Sequence, residues 1–338
     1  MEMEKLTSAE KSAYIKAFTA MVLGRTLDKK IVNAQRQGRV GFYTPTMGQE
    51  ATQVGLSMSL GREDFIYGYY RDVSLLLHRG APMEAIINQI MGNSKDVEKG
   101  RQMPSHFSYK GVNFMSVPSP VGTNLPLAVG SAYAFKLRKE KGVVVATFGD
   151  GATSTPDFHV AMNMAAVFHV PVVFVCENNG WAISLPVEKQ TETEIYKKAD
   201  AYGMKGILVD GNNFLEMYKT CTEAVNNVRS GGGPVLIEAR SYRMGAHSTS
   251  DDPTKYRKDE VKEGDAKDPL IIAEKILKDL NIGDDKLVEK IKAEAQRIVD
   301  AKFQECEKIP PPDPITAFQE VYSKNTWMLD EEVGDILD

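Results

Sequence analysis

Residues 143–179 read VVVATFGDGATSTPDFHVAMNMAAVFHVPVVFVCENN, and this stretch decides the fold. It contains two apolar runs rich in β-branched residues, VVVATF and VVFVC. Between them, Thr155-Pro156 is typical of a helix start, because a capping hydroxyl precedes a proline at the first helical position. The pattern therefore predicts a strand, a helix and a second strand parallel to the first. Asp150 and Asn179 then lie just beyond the carboxyl ends of adjacent strands, where open α/β sheets bind ligands.

Two short motifs at this edge of the sheet, and the spacing between them, indicate what it binds. Gly149-Asp150-Gly151 is separated from Asn178-Asn179 by 26 residues. A carboxylate and a carboxamide are hard oxygen ligands that suit Mg²⁺, which completes its shell with water and phosphate oxygens. The glycines leave no side chain to block a phosphate that approaches the backbone. Either motif alone is typical of an ordinary turn. Together, each after a strand and joined by one helix, they indicate a site for Mg²⁺ and a diphosphate.

The bulk composition is that of an ordinary soluble protein and excludes several classes. The chain has 338 residues, of which 42% are hydrophobic and 26% charged, and its net charge of −5 predicts neither a nucleic-acid nor a membrane partner. Its three cysteines (Cys176, Cys221 and Cys306) are too few and too scattered for a disulfide framework or a zinc site. We find neither a signal or transit pattern nor an apolar run long enough to span a bilayer, and we expect a cytoplasmic protein.

Helical patterns open and close the chain, and an α/β pattern lies between them. Thr7 and Glu10 form a capping box that predicts a long helix to about Gly38, and further helical patterns follow Thr46 and Tyr70. Residues 92–122 lack periodicity, and a loop of this length usually binds something. Strands are predicted at 143–148, 172–176, 206–209 and 234–239, and helices at 125–139, 157–168, 194–202, 214–229 and within 269–307. This alternation predicts an α/β fold with a mainly parallel sheet that is covered by helices on both faces.

Several sequence blocks resemble one enzyme family, the α subunits of thiamine diphosphate-dependent 2-oxo acid dehydrogenases. These subunits belong to the decarboxylating first component of a multienzyme complex. The resemblance covers about residues 40–325 and is closest to the branched-chain members, although pyruvate and acetoin dehydrogenase α subunits match the central motifs nearly as well. The blocks are Tyr70-Arg71-Asp72, Gly100-Arg101-Gln102-Met103-Pro104-Ser105-His106, Gly149-Asp150-Gly151, Asn178-Asn179-Gly180-Trp181-Ala182-Ile183-Ser184 and His247-Ser248-Thr249-Ser250-Asp251-Asp252.

The resemblance implies a role for each matching residue. The Mg²⁺ ligands are Asp150, the side chain of Asn179 and the main-chain carbonyl of Trp181. The diphosphate contacts are Gly149, Gly151, Ala152, Tyr70 and Arg71, and the guanidinium of an arginine suits bidentate pairing with phosphate. Ser119 and Val121 cradle the aminopyrimidine ring. His247 lies near the diphosphate and the reacting carbon and is the catalytic candidate, while Gln102 and His106 are weaker candidates for the active-site entrance.

The resemblance also implies a fold, cofactors and partners. The cofactors are thiamine diphosphate and Mg²⁺, bound by a thiamine diphosphate-binding α/β domain at residues 61–268, with an N-terminal helical extension at 1–60 and a C-terminal helical region at 269–338. A β subunit supplies the glutamate that activates the cofactor, so this chain holds half an active site of an α₂β₂ heterotetramer. The reaction is oxidative decarboxylation of a branched-chain 2-oxo acid with transfer of the acyl group to a lipoyl-bearing acyltransferase.

Three features depart from or extend the family pattern. Branched-chain members often carry arginine where this chain has Glu177, which predicts that one diphosphate contact is missing or supplied elsewhere. Ala246-His247 replaces the usual pair of histidines. Ser248 matches a serine that is phosphorylated in animal members, and a phosphate there would repel an anionic cofactor. A potassium ion near Thr123 is a further implication of the resemblance, although Pro118 and Asn124 depart from the expected pattern.

Other function classes remain as alternatives. A nicotinamide-dependent oxidoreductase shares the sheet architecture but requires G-x-G-x-x-G after a strand, which this sequence lacks. A hydrolase of the α/β type requires G-x-S-x-G, which is also missing. A non-catalytic homologue is the third alternative. It is disfavoured because Asp150, Asn179, Tyr70, Arg71 and His247 are all intact.

Overall fold

A computed structural model describes residues 6–257, 265–318 and 321–337. The prediction that the chain has no signal sequence concerns the acidic segment at residues 1–5, which lies outside the described residues. The described helices are α1 (Ser8–Arg36), α2 (Glu50–Met58), α3 (Val73–Arg79), α4 (Met83–Met91), α5 (Asn124–Arg138), α6 (Pro156–Phe168), α7 (Phe214–Arg229), α8 (Pro269–Asp279), α9 (Asp285–Glu307) and α10 (Trp327–Leu337). The strands are β1 (Phe65–Tyr67), β2 (Val144–Gly149), β3 (Val172–Asn178), β4 (Trp181–Ala182), β5 (Leu185–Pro186), β6 (Lys205–Asp210) and β7 (Val235–Arg240).

The central sheet is parallel, as the sequence predicts. In the described part of the chain its strand order is β1-β2-β3-β7-β6, and each neighbouring pair is parallel. The four predicted strands are all present, and the predicted α/β class is confirmed. Sequence analysis missed β1, because its three residues are too few to show a period. β4 and β5 form a separate antiparallel hairpin, and the predicted helix at 194–202 is a 3₁₀ helix, Ile195–Tyr202.

Both faces of the sheet are covered by helices, which buries alternate strand residues on opposite sides. Val144, Ala146 and Phe148 of β2 join an apolar cluster with α5 and α6. Val145 of the same strand joins the opposite cluster, which includes residues of α1, α3, α4, α7 and α9. Helices α1 and α9 therefore pack against the α/β unit, while the boundaries 1–60, 61–268 and 269–338 stay predictions. Among the described helices, none combines the length and apolar character needed to cross a bilayer.

The loop before α5 brings residues 118–122 to the carboxyl edge of the sheet. This loop runs from α4 to α5 and contains one 3₁₀ turn, Lys110–Val112. Main-chain hydrogen bonds anchor the loop, from Met115 to the Ile66 carbonyl (2.8 Å) and from Val117 to the Phe107 carbonyl (3.0 Å). The loop is consequently fixed to β1 although it contains little regular structure.

The start of α6 is capped as the sequence predicts. The Thr155 hydroxyl accepts a hydrogen bond from the Phe158 amide (3.4 Å) and donates one to the Ala152 carbonyl (2.8 Å), and Pro156 occupies the first turn. The same hydroxyl therefore ties the helix to the turn that contains Asp150.

We predict that Thr155→Ala lowers the free energy of unfolding by about 1 kcal/mol, because the first turn of α6 loses its cap. Urea denaturation of the purified chain measures this loss. Thr155→Ser keeps the hydroxyl and is the matched control, expected to stay close to wild type. Equal losses in the two variants would contradict a capping role for this side chain.

Candidate active site

A cavity of about 310 Å³ lies at the carboxyl edge of β2 and β3. Every residue that the sequence assigned to cofactor or metal lines it, namely Tyr70, Arg71, Ser119, Val121, Gly149, Asp150, Gly151, Ala152, Asn179, Trp181 and His247. The structure thus brings together residues from five separate segments, while their individual roles stay predictions. Gln102 is exposed and does not line the cavity, and His106 reaches it only through Ser119.

Asp150 is the carboxylate at the base of this cavity. It is buried, and its Oδ2 accepts a hydrogen bond from Gln190 Nε2 (2.7 Å). Burial raises the pKa of Asp150 above its ordinary value, and the bond from Gln190 opposes that rise. A buried carboxylate whose charged form is disfavoured by its surroundings gains from a cation beside it.

The oxygen donors around Asp150 fit Mg²⁺. Asn179 and Trp181 line the same cavity as Asp150; Asn179 Oδ1 accepts a hydrogen bond from the Trp181 amide (3.2 Å), and the Trp181 carbonyl accepts one from Arg243 Nη1 (3.3 Å). Among the described residues no group of three or more His, Cys, Asp or Glu side chains could hold a metal ion. One carboxylate, one carboxamide and one carbonyl instead suit a hard cation that takes its other ligands from water and phosphate.

The Gly149 backbone has room for a phosphate. A methyl group added to Gly149 would lie 3.8 Å from its nearest neighbour, Tyr69 Cε2, so the space beside this glycine is open. A methyl group on Gly151 would instead come within 2.9 Å of Ala182 Cβ, which fixes the turn against the β4 strand. The residues present therefore fit both the cation and the diphosphate that the motifs suggest.

Arg71 and His247, which both line the cavity, are hydrogen-bonded to each other. Arg71 Nη2 donates to His247 Nδ1 (2.9 Å) and to the His247 carbonyl (2.8 Å), and Arg71 Nη1 donates to the Pro45 carbonyl (2.6 Å). The Arg71 guanidinium is thus buried against carbonyls and an imidazole, which leave its positive charge to attract an anion. Because His247 Nδ1 accepts, a neutral His247 ring carries its proton on Nε2.

The pKa of His247 is lowered to about 3, first by burial and then by the positive charges of Arg71 and Arg243. The imidazole is therefore neutral at physiological pH. Its main-chain amide donates to Asp251 Oδ2 (2.7 Å), so the loop that carries it is held in place. The neighbouring Ser248 is buried, and its Oγ accepts a hydrogen bond from the Ser250 amide (3.3 Å).

The mouth of the cavity is apolar. Val121 is 51% exposed and Ile183 is 54% exposed, although both line the cavity. Ile183 has a φ of 55°, which is unusual for a β-branched residue, and its carbonyl accepts a hydrogen bond from Arg243 Nη2 (2.7 Å). Ser119 Oγ and His106 Nε2 form a hydrogen bond (2.8 Å), which links the loop at residues 118–122 to the Gln102–His106 block.

Sequence analysis missed a buried polar network beneath Asn179. Gln49 Nε2 donates to Glu177 Oε2 (2.9 Å) and to Tyr69 Oη (2.9 Å), while Gln49 Oε1 accepts from Asn179 Nδ2 (3.3 Å). All of these residues are buried. The polar run Gly48-Gln49-Glu50 at the start of a helix was the available signal, but such a run usually indicates a solvated helix end.

Glu177 lies in this network rather than on the cavity wall. Its pKa is raised well above the ordinary value, first by burial and then by the negative charge of the neighbouring Asp72. The surroundings of Glu177 therefore disfavour its charged form.

Comparisons with known proteins identify the family. The family model described as dehydrogenase E1 component matches residues 18–315. This chain belongs to that family. It is 41% identical over 314 residues to the 2-oxoisovalerate dehydrogenase subunit alpha, mitochondrial, of Caenorhabditis elegans, covering 92% of this chain and 73% of that protein. The human protein of the same name is 38% identical over 317 residues, covering 93% of this chain and 71% of its own length.

The family assignment agrees with the resemblance that the sequence motifs suggest. The Arabidopsis thaliana 2-oxoisovalerate dehydrogenase subunit alpha 2, mitochondrial, is 43% identical over 244 residues, covering 72% of this chain and 52% of that protein. The prediction of a 2-oxo acid dehydrogenase of the E1 type is confirmed. Membership also implies thiamine diphosphate as the cofactor and a β subunit as the partner of an α chain.

We predict that His247 makes the stability of the protein depend on pH. The unfolded imidazole has a pKa of about 6.5, whereas folding lowers the pKa of His247 to about 3. The unfolded state therefore binds more protons below about pH 6.5, and the free energy of unfolding falls as the pH decreases from there toward the folded value. Denaturant unfolding of the cofactor-free chain between about pH 7 and about pH 5 measures this slope.

The variant His247→Gln lacks the titrating group and should show a shallower slope. His159→Gln is the control, because His159 is exposed on α6. A slope in His247→Gln equal to that of wild type would show that this histidine does not carry the dependence.

Proposed function

We propose that this chain is the α subunit of a branched-chain 2-oxo acid dehydrogenase that binds thiamine diphosphate with Mg²⁺. The observation that carries the proposal is the single cavity where residues from the YRD, SPVG, GDG, NN and HSTSDD segments meet. The names of the relatives, 2-oxoisovalerate dehydrogenase subunit alpha, favour a branched-chain substrate. Pyruvate and acetoin dehydrogenase α subunits, and a non-catalytic homologue, are the alternatives.

Different residues are proposed to bind the Mg²⁺ ion and the diphosphate of the cofactor. Asp150, Asn179 Oδ1 and the Trp181 carbonyl hold Mg²⁺, and Arg71 pairs with the diphosphate through a buried positive charge. When bound, thiamine diphosphate supplies the nucleophilic carbon that allows a 2-oxo acid to lose CO₂. The neutral His247 keeps its Nε2 proton available to donate a hydrogen bond to an oxygen at the reacting end.

A β subunit must complete this site, and an apolar surface on the chain suits such a partner. The exposed faces of α5 and α6 carry Leu127, Tyr133, Leu137, Val160, Val167 and Phe168. The rings of Tyr133 and Phe168 lie 5.2 Å apart, so the two helices form one continuous patch. Large apolar patches on soluble chains mark protein–protein interfaces. We propose that the β subunit covers this patch in an α₂β₂ heterotetramer.

Two further assignments do not depend on the geometry of the cavity: the first rests on the family and the second on the cysteines. The acyl group is proposed to pass to a lipoyl-bearing acyltransferase. This transfer oxidises the acid and reduces the lipoyl disulfide. The compartment is proposed to be the cytoplasm, a reducing environment that suits three buried, unpaired cysteines. The relatives compared above are named as mitochondrial.

We predict that this chain, co-expressed with its β subunit, decarboxylates 3-methyl-2-oxobutanoate with a kcat/KM at least about tenfold higher than for pyruvate, because added methyl groups bind an apolar pocket. Thiamine diphosphate, Mg²⁺ and an artificial electron acceptor are supplied. Asp150→Ala should abolish turnover through loss of a metal ligand. Asp285→Ala, at a side chain that is 85% exposed, is the matched control and should stay active.

Each other outcome has a definite meaning. A preference for pyruvate would keep the family chemistry but reject the branched-chain assignment. Cofactor binding without turnover on either acid would point to a different 2-oxo acid or to the non-catalytic homologue. Turnover by the isolated chain would contradict the proposal of a half site.

We predict that Val167→Arg disrupts association with the β subunit. Val167 is 70% exposed near the end of α6 within the proposed contact, so an arginine there costs the fold little but places a charge in the interface. Co-purification of the two chains measures the loss. Ile271→Arg on α8, where the residue is 50% exposed, is the matched control and should leave the complex intact. Equal recovery of complex from both variants would reject the patch as the docking surface.

A further inference from the structure

The buried network beneath Asn179 is arranged around the carboxamide of Gln49. This side chain is fully buried where α2 begins. Its two N–H groups point to Glu177 Oε2 and Tyr69 Oη, each at 2.9 Å, and its carbonyl oxygen accepts from Asn179 Nδ2 at 3.3 Å. The Gln49 Nε2 group therefore donates to Glu177 and Tyr69, and only Gln49 Oε1 faces Asn179, the residue that lines the cavity.

The Glu177 carboxyl fixes the direction of this amide. Its Oε2 accepts hydrogen bonds from Gln49, Gln53 (3.3 Å) and Tyr69 (3.0 Å), so this oxygen presents lone pairs and no proton. The other oxygen of Glu177, Oε1, is buried and has no hydrogen-bond partner among the described residues. If the Gln49 amide were reversed, its carbonyl oxygen would face the oxygen of Glu177, and a buried donor would be left unpaired.

The orientation passes from Gln49 to Asn179. Because Gln49 offers an oxygen, Asn179 must turn its NH₂ group toward Gln49 and its Oδ1 away from it. Only Oδ1 can bind a cation, since an amide NH₂ group has no available lone pair. A freely rotating Asn179 would spend part of its time with the wrong end toward the cation.

We propose that Gln49 is a positioning residue that orients the Asn179 carboxamide so that Oδ1 faces the divalent cation. The inference rests on the proposed function, since it requires the Mg²⁺–thiamine diphosphate site. Gln49 itself touches neither cation nor cofactor. Residues that orient metal ligands from behind commonly change metal affinity by 10- to 100-fold when they are replaced, roughly the effect expected here.

Gln53 offers a matched comparison within the same helix. It is also fully buried and donates to the same Glu177 oxygen. Its remaining bonds go to the main chain, from Nε2 to the Arg71 carbonyl (3.0 Å) and to Oε1 from the Ser74 amide (3.1 Å). Gln53 therefore supports the local structure without touching Asn179, and its replacement isolates the structural component.

The test uses the chain purified together with its β subunit. The measured quantity is the Mg²⁺ concentration that gives half-maximal binding of thiamine diphosphate, followed by quenching of tryptophan fluorescence, since Trp181 lines the cavity. Gln49→Met should raise this concentration by about 10- to 100-fold. Gln53→Met should lower the melting temperature but shift the Mg²⁺ requirement by less than about threefold, and a shift as large as that of Gln49→Met would overturn the proposal.

Two further variants separate orientation from simple loss of packing. Glu177→Gln keeps an oxygen for the three donors and an NH₂ group for Asp72, so it should retain the wild-type Mg²⁺ requirement. In an Asn179→Asp background, either carboxylate oxygen can bind the cation, and Gln49→Met should then have little effect on Mg²⁺. An undiminished effect in that background would show that Gln49 does not act through the orientation of Asn179.

Failure of this inference is distinguishable from failure of the proposed function. If the wild-type complex does not bind thiamine diphosphate in the presence of Mg²⁺, both are rejected. If the wild type binds and Gln49→Met binds with the same Mg²⁺ requirement, only the positioning role is rejected. Should Gln49→Met not yield folded protein, Gln49→Asn replaces it, because the shorter amide stays polar but cannot reach Asn179.

Discussion

The parallel register of β2 and β3 is the constraint on which the site depends. Gly149 lies opposite Glu177 at the ends of the paired strands. Asp150 follows one strand and Asn179 follows the other, so the two side chains proposed to bind the cation leave the sheet at the same edge. A shift of one residue in this pairing would turn each strand's alternate side chains toward the opposite helical layer. The apolar packing on both faces, which holds the register, therefore also holds the geometry of the cavity.

The cavity joins two electrostatic environments that would be unfavourable without a ligand. On one side, Asp150 is a buried carboxylate whose pKa is raised by burial. On the other, Arg71 is buried against carbonyl oxygens and the neutral His247. A divalent cation and a diphosphate supply opposite charges to these two sides. The folded chain thus keeps buried charges that are costly alone, which is the usual condition of a site prepared for an ionic ligand.

The sequence predicts those parts of the structure that local chemistry determines. Thr155-Pro156 begins α6, Thr7 and Glu10 form the capping box of α1, and the two motifs at 149–151 and 178–179 meet as the spacing requires. The strand β1 and the role of Gln49 could not be found in the same way. A three-residue strand has no period, and a buried glutamine on a helix cannot be distinguished by sequence from a solvated one. Both depend on partners far away in the sequence: β1 pairs with β2, with Phe65 opposite Val144, and Gln49 contacts Glu177.

At Glu177 the site lacks the positive charge of an arginine and carries a carboxyl group whose charged form is disfavoured. Where branched-chain relatives often place arginine, this chain buries a carboxyl group whose Oε2 accepts hydrogen bonds from Gln49, Gln53 and Tyr69. Burial and the negative charge of Asp72 raise the pKa of Glu177 well above its ordinary value, so its charged form is disfavoured. Arg71 and Arg243, both buried and carried by different segments, provide positive charge around the cavity. Glu177 therefore orders the polar side chains behind Asn179, and the attraction proposed for a diphosphate rests on the two arginines.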